Sequence, residues 1–172
     1  MTDQTTDAAP NAITDAITNE SFAAALDRAG YRLPTPPDPV AAYLPCVQSG
    51  SLVFVSGQLP LTAGQLLAEG LVDSQVDEVQ AAEAARQCTL NGLAILHRHL
   101  DGDWSRLVRV VRVGCFVAAD PDFTGHSIIA NGASELLVDL FGDRGRHARA
   151  AVGTASLPLG ASVEVEFVFE IA

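Results

Sequence analysis

Arg149 stands in the run His147-Ala148-Arg149-Ala150-Ala151-Val152-Gly153, a cation among small residues where a strand begins. A guanidinium is a planar fork of donors that can grip a carboxylate with two parallel hydrogen bonds. Such a pair gains strength where water is excluded. The neighbouring Ala148, Ala150 and Ala151 leave room beside the fork for a ligand. Further on, Glu164 belongs to the alternation Val163-Glu164-Val165-Glu166-Phe167-Val168-Phe169, on what reads as the adjoining strand. A carboxylate there can place or deprotonate a water, or pass a proton to a leaving group. Each residue also has a plainer reading. Arg149 suits a structural arginine paired with an acid at an interface, and Glu164 shares its parity with Glu166 and Glu170, the pattern of a solvated strand face.

The remaining reactive side chains narrow the chemistry. Ser56 has no GxSxG elbow around it and reads as a strand-end residue rather than a nucleophile. Tyr43 reads as packing on a hairpin. His97 and His99 are two apart on a helix and point to different faces, while His126 and His147 are unpaired, so no metal site is expected. Glu83 and Arg86 read as a solvated i, i+3 helix pair. All ten basic residues are arginine, which excludes a lysine Schiff base and a lysine-anchored pyridoxal cofactor. No other cofactor is implied. The net charge of −11 and isoelectric point near 4.5 weigh against nucleic acid or an anionic membrane as partner. Cys46, Cys88 and Cys115 form no CxxC pair and read as reduced, small apolar residues. With no leader-like N-terminus and no long apolar span, a cytoplasmic location is expected.

Residues 1–19 read as a mobile polar tail, and 20–39 as a short helix followed by a proline-rich connector. Ser21 or Asn19 is the candidate helix cap and Gly30 its stop. Residues 40–172 form the main domain. Leu44–Gln48 and Leu52–Ser56 read as a hairpin turning at Ser49-Gly50-Ser51. Apolar residues recur at helical spacing from Val79 to Leu100. The valine-rich run after Arg106 predicts a long strand. A second helix is expected from Asp120–Asp122 to Gly142, then two strands around Leu157-Pro158-Leu159-Gly160. The order predicts an α+β two-layer sandwich, a mixed sheet with two helices on one face.

Four stretches stand in a familiar order: LVFVSGQLP, NGLAIL, VVRVGCFVAADPDF and RHARAAVGTASLPLGASVEVEFV. Together they resemble the RidA/YjgF family, the reactive-intermediate imine deaminases, over roughly residues 40–172. The resemblance implies a chorismate-mutase-like fold, a homotrimer, and clefts between subunits that take a small imino or keto carboxylate. It implies that Arg149 anchors the carboxylate and that Glu164 is the catalytic-site glutamate. It places Tyr43, Ser56, Gly57 and Asn131 at the cleft. On chemical grounds, backbone groups at residues 50–57 or near Cys115 could bind the substrate nitrogen or oxygen. The implied reaction is hydrolysis of 2-imino acids or enamines to 2-keto acids and ammonia, where orientation alone goes far because the imine is already reactive. Three positions depart from the better-known deaminases: Ala151 replaces a cysteine, Gly153 an acid and Ser156 an arginine. Two other outcomes are therefore carried: a non-catalytic sensor of small carboxylates, and a deaminase of a larger enamine. The family is also linked to ribonuclease activity, against which the acidic charge weighs.

Overall fold

The computed structural model describes residues 17–36 and 43–172. Residues 1–16 of the expected tail, and residues 37–42 where connector and domain meet, lie outside the described residues.

The first helix, α1 (Asn19–Ala29), is capped by Thr18, not by Ser21 or Asn19. Thr18 Oγ1 accepts from the Ser21 amide at 3.0 Å, and Ser21 Oγ accepts from the Thr18 amide at 2.9 Å. This reciprocal capping box satisfies two donors that the first turn would otherwise orphan. Asn19 instead accepts from the Trp104 amide. An isolated helix of this length is marginal in water, so packing must hold it. Phe22, Ala25 and Leu26 are buried, and the Phe22 ring stacks on Trp104 with centroids 3.9 Å apart and on Phe141 at 5.5 Å.

The hairpin forms as expected, with β1 (Cys46–Ser49) and β2 (Leu52–Gln58) joined at Gly50-Ser51. A small second hairpin follows, β3 (Leu61–Thr62) with β4 (Gln65–Leu66). Helix α2 (Glu78–His99) begins in a second capping box, Asp77 with Gln80. Strand β5 (Leu107–Ala118) leads to α3 (His126–Phe141), then β6 (Ala148–Thr154) and β7 (Val163–Ile171). Helix α3 starts later than its sequence suggests. The Asp120 amide donates to Val72 and the Phe123 amide to the Asp120 carbonyl, which ties this segment down as a loop.

The main sheet has the order β1-β2-β7-β5-β6, all neighbours antiparallel except β5 and β6. That parallel pair requires a crossover, and α3 supplies it. One face packs on α2 and α3 through Val53, Val113, Cys115, Val117, Val165, Phe167 and Phe169, all buried. The helices themselves approach closely, since a Cβ on Gly132 would lie 2.0 Å from the Ala82 carbonyl oxygen. The architecture is the expected α+β sandwich, a mixed sheet with helices on one face. Along the other face run Val47, Phe54, Val168, Phe116 and Val152, with Phe54 and Val152 each nearly half exposed.

Candidate functional site

Arg149 lies on the edge strand β6, in register with the buried Val113, so its side chain leaves on the helix-covered side. It runs along α3. Nη1 donates to Asn131 Oδ1 at 2.9 Å and to Ser134 Oγ at 3.1 Å, and Nη2 donates to the Ser127 carbonyl at 3.4 Å. Residues 127, 131 and 134 are spaced i, i+4, i+7, which puts them on one stripe of the helix. These partners are neutral, and Arg149 forms no ion pair among the described residues. Of five guanidinium donors, three are engaged; the two left are on Nε and Nη2, the nitrogens of one edge of the fork. They match a carboxylate in number and spacing.

Two residues before Arg149, on the same side of β6, His147 reaches the same cluster. Its Nε2 lies 3.0 Å from Ser134 Oγ and its Nδ1 is 2.6 Å from the Gly145 carbonyl oxygen. Burial holds the imidazole below the usual histidine range, the Gly145 carbonyl works against that shift, and the Arg149 charge reinforces it. Ser127, Ser134 and His147 were not among the residues expected here. The sequence signal was limited to the i, i+4, i+7 spacing of Ser127, Asn131 and Ser134, which sets them on one stripe of α3; nothing comparable marked His147.

Cys115 lies beneath, fully buried, between register partners Ala151 on β6 and Val165 on β7. Burial pushes its thiol up to about 12 against the opposing pull of Arg149. Its strand is paired on both edges there, so in this chain it contributes core packing under Arg149.

Glu164 belongs to the outward parity of β7, on the open sheet face opposite Phe116. Its carboxylate rests on the backbone of Gly57, where an added Cβ would fall 1.8 Å from Oε1. The β2 register breaks between Val55 and Gln58, so Ser56 and Gly57 form an irregularity in the strand. Gln58 folds back and donates to the Ser56 carbonyl at 2.9 Å. Ser56 Oγ donates to the Leu44 carbonyl at 2.8 Å and so holds the segment beginning at Tyr43, which is about half exposed (49%). Half-burial raises the Glu164 pKa, and the Glu166 charge raises it further. Glu166 itself pairs with Arg112 at 2.6 Å.

The predicted residues thus fall into two groups. Arg149 and Asn131 meet on the helix side of the sheet edge; Glu164, Gly57 and Ser56 meet on the open face, with Tyr43 next to the segment that Ser56 holds. Glu164 does not adjoin Arg149, because β5 lies between β6 and β7 and the two side chains leave on opposite faces. At Gly153 the space a side chain would take is occupied by His126, whose Nε2 lies 2.5 Å from an ideal Cβ. His126, Asp120, Phe123 and Thr154 line a cleft of about 330 Å³. Ser156 is exposed. The other histidines are separate: His97 stacks on Trp104, and His99 meets Gln48.

Comparison with known proteins places the chain in a family. Residues 23–171 match the family described as "YjgF/chorismate mutase-like, putative endoribonuclease". Protein TCP17 of Trypanosoma cruzi is 41% identical over 150 residues, 87% of this chain and 93% of its own. The crystal structure of protein Atu1372 from Agrobacterium tumefaciens, of unknown function, is 42% identical with a TM-score of 0.85, covering 90% of this chain and 94% of that one. A "putative endoribonuclease" from Shewanella oneidensis is 30% identical with a TM-score of 0.83, covering 90% and 99%. Among the described residues, no helix is long and apolar enough to cross a membrane.

Proposed function

Because the chain belongs to the YjgF/chorismate mutase-like family, we propose that it holds a small 2-imino carboxylate on Arg149 and hydrolyses it to the 2-keto acid and ammonia. The observation that carries this reading is the state of Arg149: it is exposed at a sheet edge, steadied by three neutral groups, with two donors of one edge still unengaged. A guanidinium so placed is a carboxylate anchor with its charge uncompensated. The reaction needs little more. The imine nitrogen takes a proton, water adds to the C=N carbon and gives one proton to a base, and a tetrahedral carbinolamine forms. Its nitrogen then takes a second proton, the C–N bond breaks to release ammonia, and the hydroxyl loses its proton as the carbonyl forms. Glu164 is the base and proton carrier in this scheme. Half-burial, and then Glu166, hold its carboxyl above the usual carboxylate range, the direction that favours an acid–base role.

One chain keeps Arg149 and Glu164 on opposite faces, so the scheme requires a cleft completed by a neighbouring copy. The open face, with Phe54, Val152, Val168 and Phe116, is the surface proposed to pack in a homotrimer. Phe54→Asp places a charge in that surface. Sedimentation should find wild type as a trimer and the variant as a smaller species; an unchanged mass would refute the assembly.

The activity is tested with 2-iminopropanoate made in place by an amino-acid oxidase, with semicarbazide competing for the imine. Wild type should divert imine from the trap to pyruvate, and Arg149→Ala should lose at least about 100-fold of that rate, the scale of two charge-assisted hydrogen bonds. No acceleration by wild type refutes the deaminase reading for this substrate. Two further readings have an observation behind them. The separation of Glu164 from Arg149 favours a non-catalytic carboxylate sensor, which binds pyruvate at Arg149 without accelerating imine loss. The cleft beside His126 and Gly153 favours a larger enamine, which would be hydrolysed where 2-iminopropanoate is not. The RNA reading of the family is opposed by the net charge of −11.

A further inference from the structure

We propose that Ser134 and His147 are positioning residues for Arg149: the imidazole orients the Ser134 hydroxyl, and the hydroxyl fixes the guanidinium. This deepens the reading of Arg149 as carboxylate anchor and rests on it. The direction of each hydrogen bond follows from what each atom can do. The Gly145 carbonyl only accepts, so His147 Nδ1, 2.6 Å away, carries a proton. The ring is neutral at ordinary pH, because burial and the nearby Arg149 both disfavour its cation. A neutral imidazole has one donor, so Nε2 is left with a lone pair. Ser134 therefore donates its hydroxyl proton to Nε2 across 3.0 Å. That leaves only lone pairs on Ser134 Oγ for Arg149 Nη1, 3.1 Å away.

Without the imidazole the hydroxyl rotates, and some of its rotamers turn a proton toward the guanidinium. With it, Nη1 is held between two acceptors, Ser134 Oγ and Asn131 Oδ1, and both its protons are spoken for. The fork then presents its other edge outward. Held geometry of this kind tightens binding by removing the cost of ordering a long side chain. Ser134 meets the guanidinium at Nη1, and His147 reaches it through Ser134, so the effect on binding passes through Arg149.

The probe is pyruvate, a stable product of the proposed reaction, titrated calorimetrically into the full chain at pH 7.5. Ser134→Ala and His147→Phe are each expected to weaken pyruvate binding about tenfold, roughly the loss of one hydrogen bond's worth of positioning. Ser134→Thr keeps the hydroxyl and should bind within about threefold of wild type. Long-range proton–nitrogen spectra of wild type should place the His147 proton on Nδ1. The proposal is overturned if Ser134→Ala binds as tightly as wild type while Arg149→Ala does not. It is equally overturned by a ring protonated on Nε2, a measurement that needs no variant to fold. If Arg149→Ala also binds normally, the anchor reading itself falls and takes this proposal with it.

Discussion

The helix-side edge and the open face treat their charged residue in opposite ways. Arg149 is supported from within its own chain, by Asn131, Ser134 and Ser127 of a single helix stripe. None of these partners is an acid, so the cation is oriented without being neutralised. Glu164 has no such support. It is half-buried against Gly57, beside a second carboxylate, and its pKa is raised. One region is organised and electrostatically unspent; the other carries a charge that the fold disfavours. A binding group needs the first condition, because geometry lost in a long side chain is affinity lost. A proton-transfer group is served by the second, because it must change protonation state at modest cost.

Glu164→Gln tests this division most severely. The amide keeps the shape and removes the base, so imine turnover should fall by roughly 10²–10⁴-fold, the usual contribution of acid–base catalysis. Pyruvate affinity should stay within about threefold of wild type, since Arg149 is untouched. A variant that keeps its turnover would remove Glu164 from the chemistry. One that loses turnover and pyruvate binding together would show that the two regions act as one binding unit.

What was legible in the sequence follows the same division. Glu164's outward parity was readable because β7 alternates without interruption, and the hairpin and α2 were readable from equally local patterns. The relation of Glu164 to Arg149 was not readable. Parity cannot be carried across the 3₁₀ turn at Pro158–Gly160, and strand order is a tertiary fact: β5, earlier in the chain, inserts between β6 and β7. The support of Arg149 was half legible. Asn131 came from resemblance to a family, whereas Ser134 and His147 needed α3 to be laid against β6. The late start of α3 was hidden for a similar reason, since the bond from the Asp120 amide to Val72 competes with the helix and joins residues far apart in sequence.

Gly57→Ala sharpens the comparison at smaller scale. A methyl group at this position would stand 1.8 Å from Glu164 Oε1, so the carboxylate must swing away. The side chain is flexible enough to do so without unfolding the strand. Turnover is expected to drop about tenfold through misplacement of the base. Pyruvate binding should be unchanged, because Gly57 and Arg149 lie on opposite sides of the sheet. Equal losses of turnover and affinity would mean that Gly57 shapes the anchor as well, contrary to the two-region view.

The smallest effect concerns stability. Burial, and then Glu166, raise the Glu164 pKa above its ordinary value of 4.5. Between the unfolded and folded values the folded chain binds more protons than the unfolded one, so this group makes stability fall as pH rises through that window. Above the window the full cost of a charged, half-buried carboxylate persists; below about pH 4 both states are neutral and the cost vanishes. Glu164→Gln removes the charge at every pH. The variant should therefore melt about 1–2 °C above wild type at pH 8 and level with it near pH 4, a small shift because the carboxyl still meets water. Arg149→Ala should not share this pattern: the cation it removes disfavours the His147 imidazolium, so any relative gain for that variant falls near pH 4 and not at pH 8. Thermal melts of the three proteins at the two pH values decide the matter. A Glu164→Gln variant less stable than wild type at pH 8 would mean that the open face favours the negative charge, and the contrast between the two regions would collapse.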